Sequence, residues 1–196
     1  MITGVFPMLY NPDHHLHAPE GEFEQGKIIA YRENPERAES IYRHLLTRGI
    51  GLPVRSVRAA SIDELFQVHS LQMLDFMEAV SHSIKDEDEY LYADMFPIRG
   101  QMGMRPKSLA GRLGCYCTDP YSPIGRGTWR AVTAAAGLAL QGAEMLLRRE
   151  ATFVYALCRP PGHHAGPDFF GSYCYVNNAA LAASRLTAMG HTAILD

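Results

Sequence analysis

Four stretches of the chain carry apolar residues at helical spacing, and two short runs read as strands. Ala38, Ile41, Leu45 and Leu46 share one face of a helix over residues 36–47, and Gly49 supplies its stop. Ser61 and, three residues on, Glu64 form a capping box ahead of Leu65 and Phe66. The same helix is expected to continue through Leu71, Leu74, Phe76 and Met77. Thr128 is expected to cap a long helix reaching residue 149, whose face of Val132, Ala135, Ala136, Leu140, Ala143, Leu146 and Leu147 is rich in small residues and suits close packing on a sheet. The run Phe153-Val154-Tyr155-Ala156-Leu157 reads as a strand, residues 178–189 as a helix stopped by Gly190, and Thr192-Ala193-Ile194-Leu195 as a second strand. Strand, helix, strand with a right-handed crossover is a parallel βαβ unit. It would bring Asp196 to the edge at which the loop after Leu157 emerges.

Between these elements the pattern fails in informative places. Lys85-Asp86-Glu87-Asp88-Glu89 reads as a solvated loop whose acidity would attract a polycation. Residues 90–127 lose periodicity and contain Pro97, Pro106, Pro120 and Pro123. Insertions of this length inside a compact domain tend to be functional.

Composition narrows the classes. A chain of 196 residues with 47% hydrophobic and 20% charged residues can bury one sizeable core. A net charge of −3 without a Lys/Arg block argues against a nucleic-acid binder. No apolar run approaches the ~20 residues of a membrane span, and the opening Met1-Ile2-Thr3-Gly4-Val5 lacks a signal-peptide pattern, so a cytoplasmic location and no membrane partner are expected. Cys115, Cys117, Cys158 and Cys174 make no disulfide framework, and Cys115 and Cys117 would share one strand face.

Chemistry concentrates in Arg159-Pro160-Pro161-Gly162-His163-His164-Ala165-Gly166. Two adjacent imidazoles follow a strand-like run, and the carboxyl ends of strands are where open α/β sheets place active sites. The flanking Pro and Gly residues fix the loop and permit close approach. His14 and His17, three apart in Asp13-His14-His15-Leu16-His17, have metal-ligand spacing, but a role at a rim or subunit contact is the stronger expectation in the absence of a fixed carboxylate partner.

The histidine loop, the stretch Gly171-Ser172-Tyr173-Cys174-Tyr175-Val176-Asn177-Asn178-Ala179-Ala180, and the segments Asn34-Pro35-Glu36-Arg37-Ala38, Val68-His69-Ser70 and Ala193-Ile194-Leu195-Asp196 resemble the arginase-like histone deacetylase family across essentially the whole chain. The opening Asp13-His14-His15-Leu16-His17 and the long segment from Tyr90 to Trp129 look most like the bacterial acetylpolyamine amidohydrolases. The resemblance implies an α/β fold of three α/β/α layers around a parallel sheet, with residues 1–196 as the N-terminal part of a single deacetylase domain. It also implies a Zn(2+)-dependent deacetylase of small N-acetylated amines, His164 as general base and acid, and His163 as its electrostatic partner oriented by Asp196. Ser172 and Tyr173 would line the substrate channel, and Arg37 an exit for acetate. Asp196 would also serve a structural K(+) site, and the 90–127 insertion a homodimer interface that narrows the active-site mouth. The family usually has Gly where Ser172 stands. Its zinc ligands fall after the position of Asp196, which leads us to expect that the chain alone is inactive. A protein acetyl-lysine deacetylase is the alternative within the enzyme class, and a non-catalytic ligand-binding module the alternative outside it if the chain is complete as given.

Overall fold

The computed structural model describes residues 4–54, 57–98 and 106–196. In chain order the elements are β1 (Phe6–Leu9), a 3-10 turn (Pro12–Leu16), the hairpin of β2 (Gly21–Glu24) and β3 (Lys27–Ala30), α1 (Pro35–Thr47), β4 (Gly51–Pro53), α2 (Ile62–Leu65), α3 (Leu71–Ser83), β5 (Tyr90–Leu91), α4 (Leu109–Leu113), β6 (Ile124–Gly125), α5 (Thr128–Leu147), β7 (Tyr155–Ala156), α6 (Asn178–Leu186) and a closing 3-10 turn (Thr187–Met189).

The sheet that positions the site is parallel, in the order β4-β1-β7. Phe6 pairs with Gly51 and Met8 with Pro53 on one side, while Met8 pairs with Tyr155 and Leu9 with Ala156 on the other. Pro7 is tolerated in the middle strand. The Phe6 N–H bonds the Ile50 carbonyl on the β4 side, so Pro7 faces the β7 side, where pairing begins only at Met8. Because the strands are parallel, the carboxyl ends of β1 and β7 open on one edge, which carries both the 3-10 turn Pro12–Leu16 and the histidine loop.

Helix α5 packs against α6, β7 and the 3-10 turn Pro12–Leu16. It is buried on nearly every face from Thr128 to Ala143, beyond the single apolar stripe expected. Small residues make that burial feasible, since a side chain at Gly137 would stand 2.0 Å from the Arg58 carbonyl oxygen.

Several expectations are corrected. The helix that opens with the Ser61–Glu64 capping box ends at Leu65, and a new helix starts at Leu71 with its own cap, Ser70. Thr128 is the first residue of α5 rather than its cap; its hydroxyl receives the Gly125 N–H and meets His17 instead. The strand expected over 153–157 is reduced to Tyr155–Ala156. Residues 192–195 form no strand: they pair with no neighbour among the described residues, and Leu195 is 96% exposed. Cys115 and Cys117 do not share a strand face, because the backbone there turns out of α4. All four cysteines are free thiols, as expected. The insertion is not wholly irregular, holding β5, α4 and β6, while residues 99–105 lie outside the described residues.

Candidate active site

The histidine loop leaves β7 at Leu157, whose N–H still bonds the Leu9 carbonyl, and rejoins regular structure at α6. Two side chains hold it in shape. The Asn177 amide donates to the Ala165 carbonyl at 3.0 Å. His69 spans the loop: Nδ1 lies 2.8 Å from the Gly166 carbonyl and Nε2 accepts the Asn177 N–H at 2.9 Å. A carbonyl only accepts and a backbone N–H only donates, so His69 is the neutral tautomer protonated at Nδ1. Gly162 is required here, since a Cβ would lie 2.3 Å from the Val176 carbonyl oxygen.

This scaffold presents His163 and His164 to solvent, their rings edge to face at 4.3 Å. Asp196 stands beside the pair, its carboxylate 3.2 Å from His163 Nδ1. Extended chain without a strand is enough to bring it there. The carboxylate can accept the Nδ1 proton, which would leave the lone pair on Nε2 of His163. The His164 N–H faces the Cys174 sulfur at 3.5 Å. Burial pushes that thiol up to about 11, so it remains protonated and unreactive at neutral pH.

Ser172 and Tyr173 both adopt left-handed backbone, with φ of 50° and 68°. Such geometry is costly for non-glycine residues, which explains why glycine suits the Ser172 position. Asp119 holds the turn: its Oδ2 accepts the Ser172 N–H at 2.6 Å and the Ser172 hydroxyl at 2.9 Å. Tyr173 then packs near Tyr31 and Tyr121 and donates its hydroxyl to the buried Glu22 at 3.0 Å. Asp119 and Tyr121 belong to the 90–127 insertion, so that segment touches the Ser172–Tyr173 wall directly.

Arg37 is not gathered into this group. It is exposed on the first turn of α1, where its charge acts on Glu33. The buried arginine of the region is Arg159, 2% exposed, which the sequence reading placed only within a motif. Its guanidinium donates to the His14 carbonyl at 2.5 Å and the Glu33 carbonyl at 2.7 Å, and its Nε lies 3.1 Å from the Glu33 carboxylate. Burial raises Glu33 to about 7 against the pull of Arg159 and Arg37.

His14 and His17 do not line a rim; both are buried. His17 is enclosed by Thr128, Tyr175 and Tyr31 at 3.0, 3.2 and 3.5 Å. Tyr175 spends its proton on the Pro123 carbonyl and Tyr31 on the Tyr121 carbonyl. His17 Nε2 therefore carries the proton and Nδ1 accepts from Thr128, a second histidine fixed neutral. Only its position beside two other histidines could have drawn attention to it, because its partners lie up to 158 residues away.

Burial lowers the pKa of His17 and His69, and that of His14 to about 4. A depressed histidine pKa means that the unfolded chain takes up protons first, starting near its ordinary value of about 6.5. The stabilisation is thus complete above that pH and is lost as pH falls from there toward 4. Glu33, raised to about 7, acts in the opposite sense by gaining stability on protonation, but it is one group against three. Thermal unfolding followed from pH 7.5 to 4.5 should show Tm falling continuously below about pH 6.5. A flat profile would contradict the neutral assignments.

The sequence profile of the histone deacetylase domain matches residues 31–196. The chain belongs to the histone deacetylase domain family. Acetylpolyamine amidohydrolase 1 of Pseudomonas aeruginosa is 36% identical over 194 residues, covering 96% of this chain and 56% of that protein. Among solved structures, acetylpolyamine aminohydrolase from Burkholderia pseudomallei superposes with a TM-score of 0.79 at 32% identity, over 93% of this chain and 53% of that one. The HDA15 HD domain superposes with a TM-score of 0.70 at 26% identity, over 96% and 45%. These matches bear out the α/β deacetylase fold and the family read from the histidine loop. The chain spans about half the length of these relatives.

The zinc that this family implies was tested against the side chains present. A catalytic zinc needs three protein ligands. Among the described residues, the one trio of His, Cys, Asp or Glu side chains close enough to share an ion lies away from His163 and His164, at His14, His15 and Glu39. Among the described residues, His163, His164 and Asp196 belong to no such trio. The potassium site expected at Asp196 is not supported, since its carboxylate is 75% exposed and faces the imidazole. Among the described residues no helix is long and apolar enough to cross a membrane.

Proposed function

We propose that this chain supplies the proton-handling and substrate-placing part of an amidohydrolase site that removes acetyl groups from acetylated polyamines. The observation that carries the reaction class is the solvent-facing His163–His164 pair at the carboxyl end of β7, with Asp196 on Nδ1 of His163. In this reading His164 takes a proton from the attacking water and returns it to the leaving amine. His163, its Nδ1 proton held by Asp196, orients the water and balances the charge. Tyr173 forms one wall for the linear substrate. Zinc, when bound, supplies the carbonyl polarisation that deacetylation requires; its ligands would come from sequence outside these 196 residues, which form the N-terminal portion of a single deacetylase domain. The enzyme works as a cytoplasmic homodimer assembled through residues 90–127.

The choice of an amine substrate is supported by a cavity of about 820 Å³ lined by Glu20, Asp88 and Asp94 together with aromatic rings that include Tyr90 and Phe96; it shares with Tyr173 only the buried Glu22, which accepts the Tyr173 hydroxyl. Carboxylates and ring faces suit an ammonium tail. The test is a competition assay on the full-length protein between a mono-acetylated diamine and an acetyl-lysine peptide. The diamine should be preferred by at least about tenfold in kcat/KM, and Asp119→Ala, which releases the Ser172–Tyr173 turn, should narrow that preference. Equal or reversed preference in the unmodified protein would favour the protein-deacetylase alternative.

A further inference from the structure

Away from the histidine pair, the turn Pro12–Leu16 sets two imidazoles against a carboxylate of α1. His14 Nε2 lies 3.2 Å and His15 Nε2 3.0 Å from Glu39 Oε1, and the Tyr10 hydroxyl reaches the same oxygen. The rings of His14 and His15 lie 4.2 Å apart and tilted by 30°, so both nitrogens face one point although the residues are adjacent. His17, which has the more familiar spacing from His14, is committed to the Thr128 network instead.

Two features distinguish this cluster from an ordinary hydrogen-bonded carboxylate. The Tyr10 hydroxyl and two ring nitrogens crowd a single oxygen, which offers about two lone-pair sites. The separations also fit an ion: ligands about 2.0–2.1 Å from a tetrahedral zinc stand about 3.3 Å from one another. Imidazole nitrogen with carboxylate oxygen is the donor set of a borderline divalent cation.

We propose that His14 Nε2, His15 Nε2 and Glu39 Oε1 form a structural binding site for a zinc-like divalent cation that fastens the turn after β1 to helix α1. Water completes the coordination. The same turn offers the His14 carbonyl to Arg159 and carries His17, so the ion would brace the strand edge on which the histidine loop sits.

The test is a Co(II) titration of the full-length protein carrying His163→Ala, followed by displacement with Zn(2+). One equivalent beyond any metal already held should give the visible bands of a four-coordinate nitrogen–oxygen site. Adding His15→Ala or Glu39→Gln should each weaken zinc binding by at least about tenfold and abolish the zinc-dependent rise in Tm. His15 is half exposed, so its removal leaves the fold intact, and circular dichroism verifies this for both variants. Absence of the bands at millimolar Co(II), or a His15→Ala protein that titrates like its parent, would overturn the site and leave a hydrogen-bonded cluster.

Discussion

Replacing His164 with Ala in the full-length protein is expected to lower turnover of an acetamide substrate by about 10²–10⁴-fold, the usual contribution of a positioned acid–base group. The loop should survive the change. Its shape depends on His69, Asn177 and Gly162, and the contact from residue 164 to Cys174 is made by the backbone N–H. Zinc content should therefore remain that of the parent protein. His163→Ala, by contrast, should leave Asp196 without its imidazole and change the pH profile of the remaining activity. Loss of zinc together with activity in His164→Ala would mean that the ring is a ligand, and the assignment of roles would fail.

Arg159→Leu is expected to destabilise the protein by about 3–5 kcal/mol, the typical cost of removing one partner from a buried ion pair. Three groups lose a partner at once: the Glu33 carboxylate and the carbonyls of His14 and Glu33. The deficit should depend on pH. Without the guanidinium, the Glu33 carboxyl moves above its present value of about 7. The variant's folded state then binds a proton that the unfolded chain holds only below about 4.3. Part of the lost stability, relative to the parent, should return as pH falls toward about 7 and change little below it, while the part due to the two carbonyls should not return. Denaturant unfolding at several pH values separates the two. A pH-independent deficit would show that the carboxylate is not the principal casualty.

The parts legible in the sequence were those set by local chemistry. The Ser61–Glu64 box forms as written, α1 and α5 form where the apolar spacing puts them, although Ile41 and Leu46 of α1 stay exposed, and Gly49 and Gly190 take the positive φ that ends each helical segment. The histidine pair was legible because Pro and Gly surround it. The parts that escaped are set by distant partners. Strand β1 carries a proline and only four residues, and it is a strand because β4 and β7 flank it. The hairpin of β2 and β3 turns on Gln25-Gly26, both at positive φ, without the Asn-Gly signature of that turn. The tail 192–195 shows the reverse error: its β-branched and apolar residues suggest a strand, but no strand among the described residues pairs with it. In the site, the motif indicated which residues meet, whereas Arg159, His17 and Glu39 could be found only once the chain was folded.

The order in which the chain is made has a bearing on the parallel sheet. Its middle strand is synthesised first, yet β7, one of the two strands that flank it, is separated from it by more than a hundred residues. The contacts that fasten the same edge are as remote in sequence, at 145 residues for Arg159 to His14 and 158 for Tyr175 to His17. Closing loops of that length is slow, and high contact order delays folding. While the ribosome is still extending the chain, Met8 and Leu9 must wait without the partner that will bury them, and the two histidines that end up neutral in the interior are still free to pick up protons. That edge can therefore close only after β7 and Arg159 have been made.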